Sequence, residues 1–339
     1  MKDVSGLTRR EFLKLSTAAL VAGSLTWAGF NRVAQAAPEA RVGTLIDLTR
    51  CDGCRAWPLP RCVAACREEN FRKFPQPVAN IPLNWPLNTK EDWSDKKDLT
   101  TRLTPYNWIF VQHVRVEDGG QAVDVFIPRR CMHCDNPPCA NLCPFAAQYK
   151  TPEGPVLINH NLCLGGAKCR DVCPWGIPQR QAGVGLYMKI APGYLGGGVM
   201  YKCDLCYHRV KNGKTPACVE ACPRGAMIFG PKDRVLDEAM TRAREINGHL
   251  YGARENGGTS TFYVAPVPFE KIHNQLMAQK ARQSNPKMPG FPGMPVNVGN
   301  FLDGVNGLVA GMLVAPVAGA VAAGWAAYKT MTGGKRDEA

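Results

Sequence analysis

The stretch CMHCDNPPCANLCP, Cys131 to Pro144, spaces four cysteines as C-x2-C-x4-C-x3-C and follows the last with proline. The same grammar returns three more times. Cys51, Cys54, Cys62 and Cys66 form one group; Cys203, Cys206, Cys218 and Cys222, followed by Pro223, form another. Each complete group opens with C-x2-C and closes with C-x3-C, while the middle gap runs to seven, four or eleven residues. The remaining run, CLGGAKCRDVCPWG from Cys163 to Gly176, is one cysteine short. Cys163, Cys169 and Cys173 precede Pro174 at the same spacing, and Gly166 occupies the second position. All fifteen cysteines fall in these four groups.

Cysteines in the run C-x2-C-x2-C-x3-C-P hold cubic iron–sulfur clusters, and in two-cluster proteins the last one reaches across to the other cluster. The opening pair wraps a cluster corner with backbone amides aimed at sulfur, the last cysteine starts a short helix, and proline redirects the chain there. Zinc competes for C-x2-C pairs, but zinc sites rarely close with C-x3-C-P and do not explain four such groups in succession. Disulfides are the other competitor, and an odd cysteine count leaves a thiol over. Export in the folded state answers it too, because buried thiolates are then already committed to iron. The group containing Gly166 has three outcomes: a [3Fe–4S] cluster, a [4Fe–4S] cluster with water or hydroxide on the open iron, or an empty site. Removing one cysteine removes the ligand of one iron corner, and Gly166 supplies no replacement, so [3Fe–4S] is the expectation. His133, His160 and His208 lie near these groups and read as packed or solvent-facing residues.

The chain of 339 residues carries 41 Lys and Arg against 28 Asp and Glu, a formal charge of +13. Such an excess suits nucleic acid, but the basic residues are scattered and no nucleic-acid motif accompanies them, so no nucleic-acid partner is expected. Each thiolate-ligated cluster adds roughly two negative charges, which gives the excess an internal counterpart.

Short strand candidates frame the groups: GTLIDL before the first, WIFVQHVRV and AVDVFIP before the second, PVLIN before the third, AMIFG after the fourth. Strand, cluster loop and short helix in repetition is the ferredoxin pattern, duplicated. Val235, Leu236, Ala239, Met240, Ala243 and Ile246 recur at helical spacing over Asp233 to Asn247 and predict a surface helix before Gly248.

The ends suggest a location. Arg9-Arg10, the weakly apolar run from Leu15 to Phe30 and the close Ala34-Gln35-Ala36 resemble a twin-arginine export signal over residues 1–36. Val305 to Tyr328 carries no formal charge and is about 36 Å long as a helix, against a hydrocarbon core of about 30 Å. Lys329, Lys335 and Arg336 follow it, placing the C-terminus in the cytoplasm and the rest on the periplasmic side. An i+4 row of small residues, Gly307, Gly311, Ala315, Gly319, Ala323 and Ala327, suits an integral membrane partner as well as membrane lipid. Pro286, Pro289, Pro292 and Pro295 lie three apart, which makes either a semi-rigid polyproline arm or an ordinary linker. The expected organisation is a signal at 1–36, a four-cluster domain at 37–284, a linker at 285–302, a membrane helix at 303–329 and a tail at 330–339. The expected fold class is α+β, with duplicated bacterial-ferredoxin-like domains plus one C-terminal transmembrane helix.

CMHCDNPPCANLCP and ACVEACPRGAMIFG resemble the four-cluster iron–sulfur subunits of membrane oxidoreductases, the similarity running from about Gly43 to Val264. The two ends and HLYGARENGGTSTFYV bring the chain nearest to the iron–sulfur subunit of hydrogenase-2-type [NiFe] hydrogenases. The resemblance implies that the first and fourth groups pair, and the second and third. Cys51, Cys54, Cys62 and Cys222 would hold one [4Fe–4S] cluster, Cys203, Cys206, Cys218 and Cys66 another, and Cys131, Cys134, Cys139 and Cys173 a third. Cys163, Cys169 and Cys143 remain for the [3Fe–4S] site. RAWPLPR, between Cys54 and Cys62, departs from the family spacing and bears on Cys62. With no nucleophile–base constellation and no nucleotide loop, the chain reads as a non-catalytic relay. It would pass electrons between hydrogenase small and large catalytic subunits and an integral membrane quinone-reactive subunit. The alternative is the beta subunit of a molybdopterin oxidoreductase such as formate dehydrogenase, and a zinc-stapled scaffold is the reading from another class.

Overall fold

Two strands anchor everything else. In the computed structural model, which describes residues 41–84, 88–194 and 196–304, β1 (Val42–Asp47) and β10 (Thr261–Ala265) pair in parallel at the centre of a four-stranded sheet. β8 (Met227–Pro231) flanks β1 and β9 (His249–Tyr251) flanks β10, both antiparallel, giving the order β8-β1-β10-β9. Side chains alternate across a sheet with period two, and the two faces separate accordingly. Leu45, Phe262 and Val264 face the helix Lys232–Glu245, meeting Val235, Ala239 and Ala243 in one small core. Burying each large apolar side chain there contributes about 1.5–3 kcal/mol. Ile46, Tyr263 and Ala265 face the other way, into the larger core that also contains most of the cysteines.

That helix ends as its sequence anticipates. Asn247 takes a left-handed φ of 48°, and Gly248 N–H donates back to Ala243 O at 2.8 Å, closing a Schellman-type end. Met240, expected on the apolar stripe, is 40 % exposed.

The remaining sheets are two-stranded ribbons. β2 (Phe110–Asp118) and β3 (Gln121–Arg129) form a nine-by-nine hairpin turned by Gly119-Gly120, both at positive φ as a tight two-residue turn requires. β4 (Gln148–Lys150) pairs with β5 (Val156–Ile158), and β6 (Gln179–Gln181) with β7 (Val199–Tyr201). These short ribbons tie down the loops that carry the middle cysteine groups. The Pro-rich segment packs back onto this body: Leu103 N donates to Gly290 O at 2.8 Å, Arg129 Nη2 to Gly293 O at 2.8 Å, and Met294 is fully buried.

The expected fold class needs correction. The architecture is mixed α/β, because β1 and β10 pair in parallel although more than two hundred residues of cysteine loops separate them. Among the described residues no helix is long and apolar enough to cross a membrane. The longest, Lys232–Glu245, has 14 residues and a polar outer face, against about 20 apolar residues for a span. The segment 305–328 that carried the expected membrane helix lies outside the described residues, as does the twin-arginine stretch. The membrane-anchored location drawn from those two ends is withdrawn on the same finding.

Candidate metal centres

Each cysteine group folds by one local rule. The cysteine at the third motif position stands at the second position of a helix: Cys62 in Arg61–Asn70, Cys139 in Pro138–Asn141, Cys169 in Lys168–Asp171 and Cys218 in Ala217–Glu220. Proline precedes three of these helices, at Pro60, Pro137 and Pro216; the third group has Ala167 instead, at φ 57°. The residue before the second cysteine is left-handed in the complete groups: Gly53, His133 and Leu205 at φ 68°, 49° and 56°. Gly165, at φ 71°, repeats that conformation in the incomplete group, so Gly166 stands where the second cysteine would be. Backbone amides from this turn and from segments packed on the groups point at sulfur. Leu205 N–H donates to Cys203 Sγ at 3.3 Å, Met200 N–H to Cys163 Sγ at 3.4 Å and Ala226 N–H to Cys222 Sγ at 3.3 Å.

None of the fifteen cysteines is in a disulfide. The thiols gather across groups, close enough for each to act on its neighbours' charge. Cys51, Cys54, Cys62 and Cys222 come together. Cys66 from the first group joins Cys203, Cys206 and Cys218 of the fourth. Cys173 from the third joins Cys131, Cys134 and Cys139, and Cys143 joins Cys163 and Cys169. Neighbouring gatherings lie within electrostatic reach of each other through Cys62 with Cys218, Cys131 with Cys203, and Cys169 with Cys173, so each is next to the following one from Cys51 to Cys163. The insertion RAWPLPR bulges outward, with Trp57 exposed and Arg55 5.1 Å over the Phe126 ring, and leaves Cys62 in its place.

Burial sets the thiol chemistry. It pushes Cys51, Cys173 and Cys203 up to about 11 and Cys206 up to about 12, and raises Cys62, Cys66 and Cys139 strongly, with neighbouring thiols adding to the effect. Without a metal these groups stay protonated at neutral pH, so binding must expel their protons. Among the described residues no three Cys, His, Asp or Glu groups converge to hold a single ion. A tetrahedral zinc needs four donors within about 2.3 Å of one point.

Buried cations argue the same way. Arg130 has no exposed surface, and among the described residues its guanidinium has no oxygen or nitrogen partner, only the Cys203 sulfur beside it. A guanidinium shut away from water and from every carboxylate needs an anion, and its neighbours are the Cys203 and Cys218 thiols. A cavity of about 90 Å³ opens between Cys143, Cys163, Gly166 and Cys169, walled by Phe145 and Ile158. Thiol donors, an orphaned interior cation and room beside Gly166 all fit iron–sulfur clusters.

Sequence reasoning missed the groups around the thiols. His133 Nδ1 accepts from Val156 N–H at 3.0 Å, which leaves its Nε2–H facing Cys203 Sγ at 3.7 Å. Burial, with Lys202 and Arg130 nearby, holds His133 well below the usual imidazole range. Asn256 Nδ2 lies 3.1 Å from Cys134 Sγ. One signal was visible: a basic residue directly precedes the first cysteine in Arg50-Cys51, Arg130-Cys131 and Lys202-Cys203. His160 instead packs on Tyr201 with ring centroids 4.4 Å apart, and burial lowers it to about 4. His208 pairs with Glu69 at 2.6 Å.

Comparison with known proteins points to the same chemistry. Residues 50–147 and 122–232 each match a family model described as a 4Fe-4S dicluster domain. A protein of Nitratidesulfovibrio vulgaris is 32% identical over 271 residues, covering 78% of this chain and 65% of the relative, so the chain spans just under two thirds of it. The hydrogenase-2 operon protein HybA of Escherichia coli O157:H7 is 29% identical over 311 residues, covering 78% of this chain and 83% of HybA. A subunit of the anaerobic dimethyl sulfoxide reductase of Escherichia coli K12 is 30% identical over 200 residues, covering 57% of this chain and 75% of that subunit. Four cysteine groups folded by one rule, two dicluster matches and these relatives together show that the chain belongs to the 4Fe-4S dicluster family of iron–sulfur electron-transfer subunits, which includes that dimethyl sulfoxide reductase subunit.

Proposed function

We propose that the chain carries three [4Fe–4S] clusters and one [3Fe–4S] cluster in a single line. In order, they would be held by Cys51, Cys54, Cys62 and Cys222; by Cys66, Cys203, Cys206 and Cys218; by Cys131, Cys134, Cys139 and Cys173; and by Cys143, Cys163 and Cys169 beside Gly166. The observation that carries this reading is the crossing of cysteines between groups, Cys66 and Cys222 exchanging one way and Cys143 and Cys173 the other. When bound, the clusters supply one-electron carriers whose potentials depend on hydrogen bonds, charge and solvent.

The chain's own residues do the rest. Buried thiols and the apolar core keep water from the inner sites. Amides of Leu205, Met200 and Ala226 point at sulfur and offset its charge. Arg130 and Lys202 place fixed positive charge inside.

The partner reading follows the likeness to HybA. The relay would join the catalytic subunits of a [NiFe] hydrogenase to a quinone-reactive subunit. The similarity to dimethyl sulfoxide reductase subunits supports a molybdopterin enzyme as the second reading. Metal analysis of the co-purified complex separates them. Nickel with hydrogen-dependent reduction of a quinone analogue supports the first; molybdenum without nickel supports the second and overturns the first.

A further inference from the structure

Arg130 and Lys202 occupy matching places in the repeat, each just before the first cysteine of its group. The counterparts at the two ends of the line differ: Arg50, before Cys51, is exposed, and the residue before Cys163 is Leu162. At the two middle gatherings the cation is instead enclosed. Arg130 is wholly buried with no oxygen or nitrogen partner for its guanidinium among the described residues, and it acts on Cys203, by hydrogen bond and charge, and on Cys218 across the boundary from its own group. Lys202 is 5 % exposed, donates from Nζ to the neutral carbonyls of Val156 and Cys203, and acts on Cys131, Cys139 and Cys203. Asp204 also acts on Lys202 but is held by Lys73 at 2.6 Å, and Asp135 is held by Lys232 at 2.5 Å. His133, from the second group, spans the same boundary with its Nε2–H toward Cys203 Sγ.

We propose that Arg130 and Lys202, with His133 as a fixed hydrogen-bond donor, form a cationic bridge that raises the reduction potentials of the two middle clusters together, so that an electron in the relay is stabilised at its centre. This rests on the four-cluster reading above. Reduction adds one negative charge to a cluster, and a neighbouring cation in a low-dielectric interior favours the reduced form without any proton moving. Arg130 is positive at every accessible pH. Arg130 acts on thiols of the second gathering from a place beside Cys131 of the third, and Lys202 acts on thiols of both and on Cys169 of the next, so removing either affects the middle pair while both leave the Cys51 end untouched.

The test is a redox titration of the full-length holoprotein followed by low-temperature paramagnetic resonance, with iron content measured on each sample. Arg130→Gln and Lys202→Gln should each lower two of the three reduced-state cubane signals. The expected size is at least a tenfold change in reduction equilibrium constant, about 59 mV for one electron. The Cys51 cubane should stay in place in both variants and the oxidised-state signal of the three-iron centre in Arg130→Gln, and Arg130→Lys should keep the wild-type values. Unmoved potentials at full iron content overturn the proposal. So do equal shifts at all sites, a drop in Arg130→Lys as large as in Arg130→Gln, or loss of iron from both glutamine variants. A wild-type chain without iron would instead remove the cluster reading itself.

Discussion

Asn256 Nδ2 stands 3.1 Å from Cys134 Sγ, joining residues 122 apart in sequence inside a fully buried site. Asn256 adopts φ 55°, a left-handed conformation that asparagine tolerates better than most residues, and so its amide is held at the sulfur. Hydrogen bonds to charged groups contribute about 1.5–3 kcal/mol. Asn256→Gly accepts the same backbone and removes only the donor. Its expected effect is a lower potential at the third cluster by about 60 mV or more, with the other sites unchanged, read by redox titration.

Gly166 and its neighbour predict opposite outcomes. A Cβ built at Gly166 meets nothing within 4 Å, and its φ is not in the left-handed region, so a side chain fits beside the cavity. Gly166→Cys should complete a fourth ligand: the oxidised-state three-iron signal disappears and iron rises by one atom per chain. At Gly165, φ is 71° and an added Cβ would sit 2.3 Å from Gly198 O. Gly165→Ala should lose that cluster and lower stability by more than about 2 kcal/mol in thermal unfolding.

Glu91 braces the wall of the same site. It accepts from both terminal nitrogens of Arg170, at 2.6 and 2.7 Å, and from Arg180 at 2.7 Å, while Arg180 also donates to Gly165 O at 3.0 Å. Partial burial alone would raise its pKa, but the two guanidinium groups outweigh it and hold the carboxyl below the usual carboxylate range. A depressed folded value means stability that is complete above the unfolded value, about 4.3, and lost as pH falls through the folded one. Glu91→Gln should therefore destabilise the holoprotein by about 3 kcal/mol at pH 7. The gap from wild type should close below pH 4, measured by thermal unfolding across pH.

Much of this site was legible in the sequence, because cysteine spacing is local. The C-x2-C and C-x3-C spacing marked the four cysteine groups, and WIFVQHVRV and AVDVFIP marked the two strands that form the hairpin. The helix over Lys232–Glu245 was equally plain from its apolar period. What escaped was non-local. The parallel pairing of β1 with β10 joins segments with every cysteine between them, and no turn residue marks it. Asn256 and His133 reach sulfurs of distant groups, and their own sequence neighbours do not say which. Met240 fitted the helical stripe in sequence but is largely exposed.

The most direct test is a combined count of iron, acid-labile sulfide and zinc on the purified full-length chain, with resonance spectra of oxidised and reduced samples. Iron and sulfide in the ratio of three cubanes to one three-iron centre, no zinc, an oxidised-state three-iron signal and coupled signals on reduction are the predicted result. A colourless protein containing zinc, or spectra silent in both states, would contradict it.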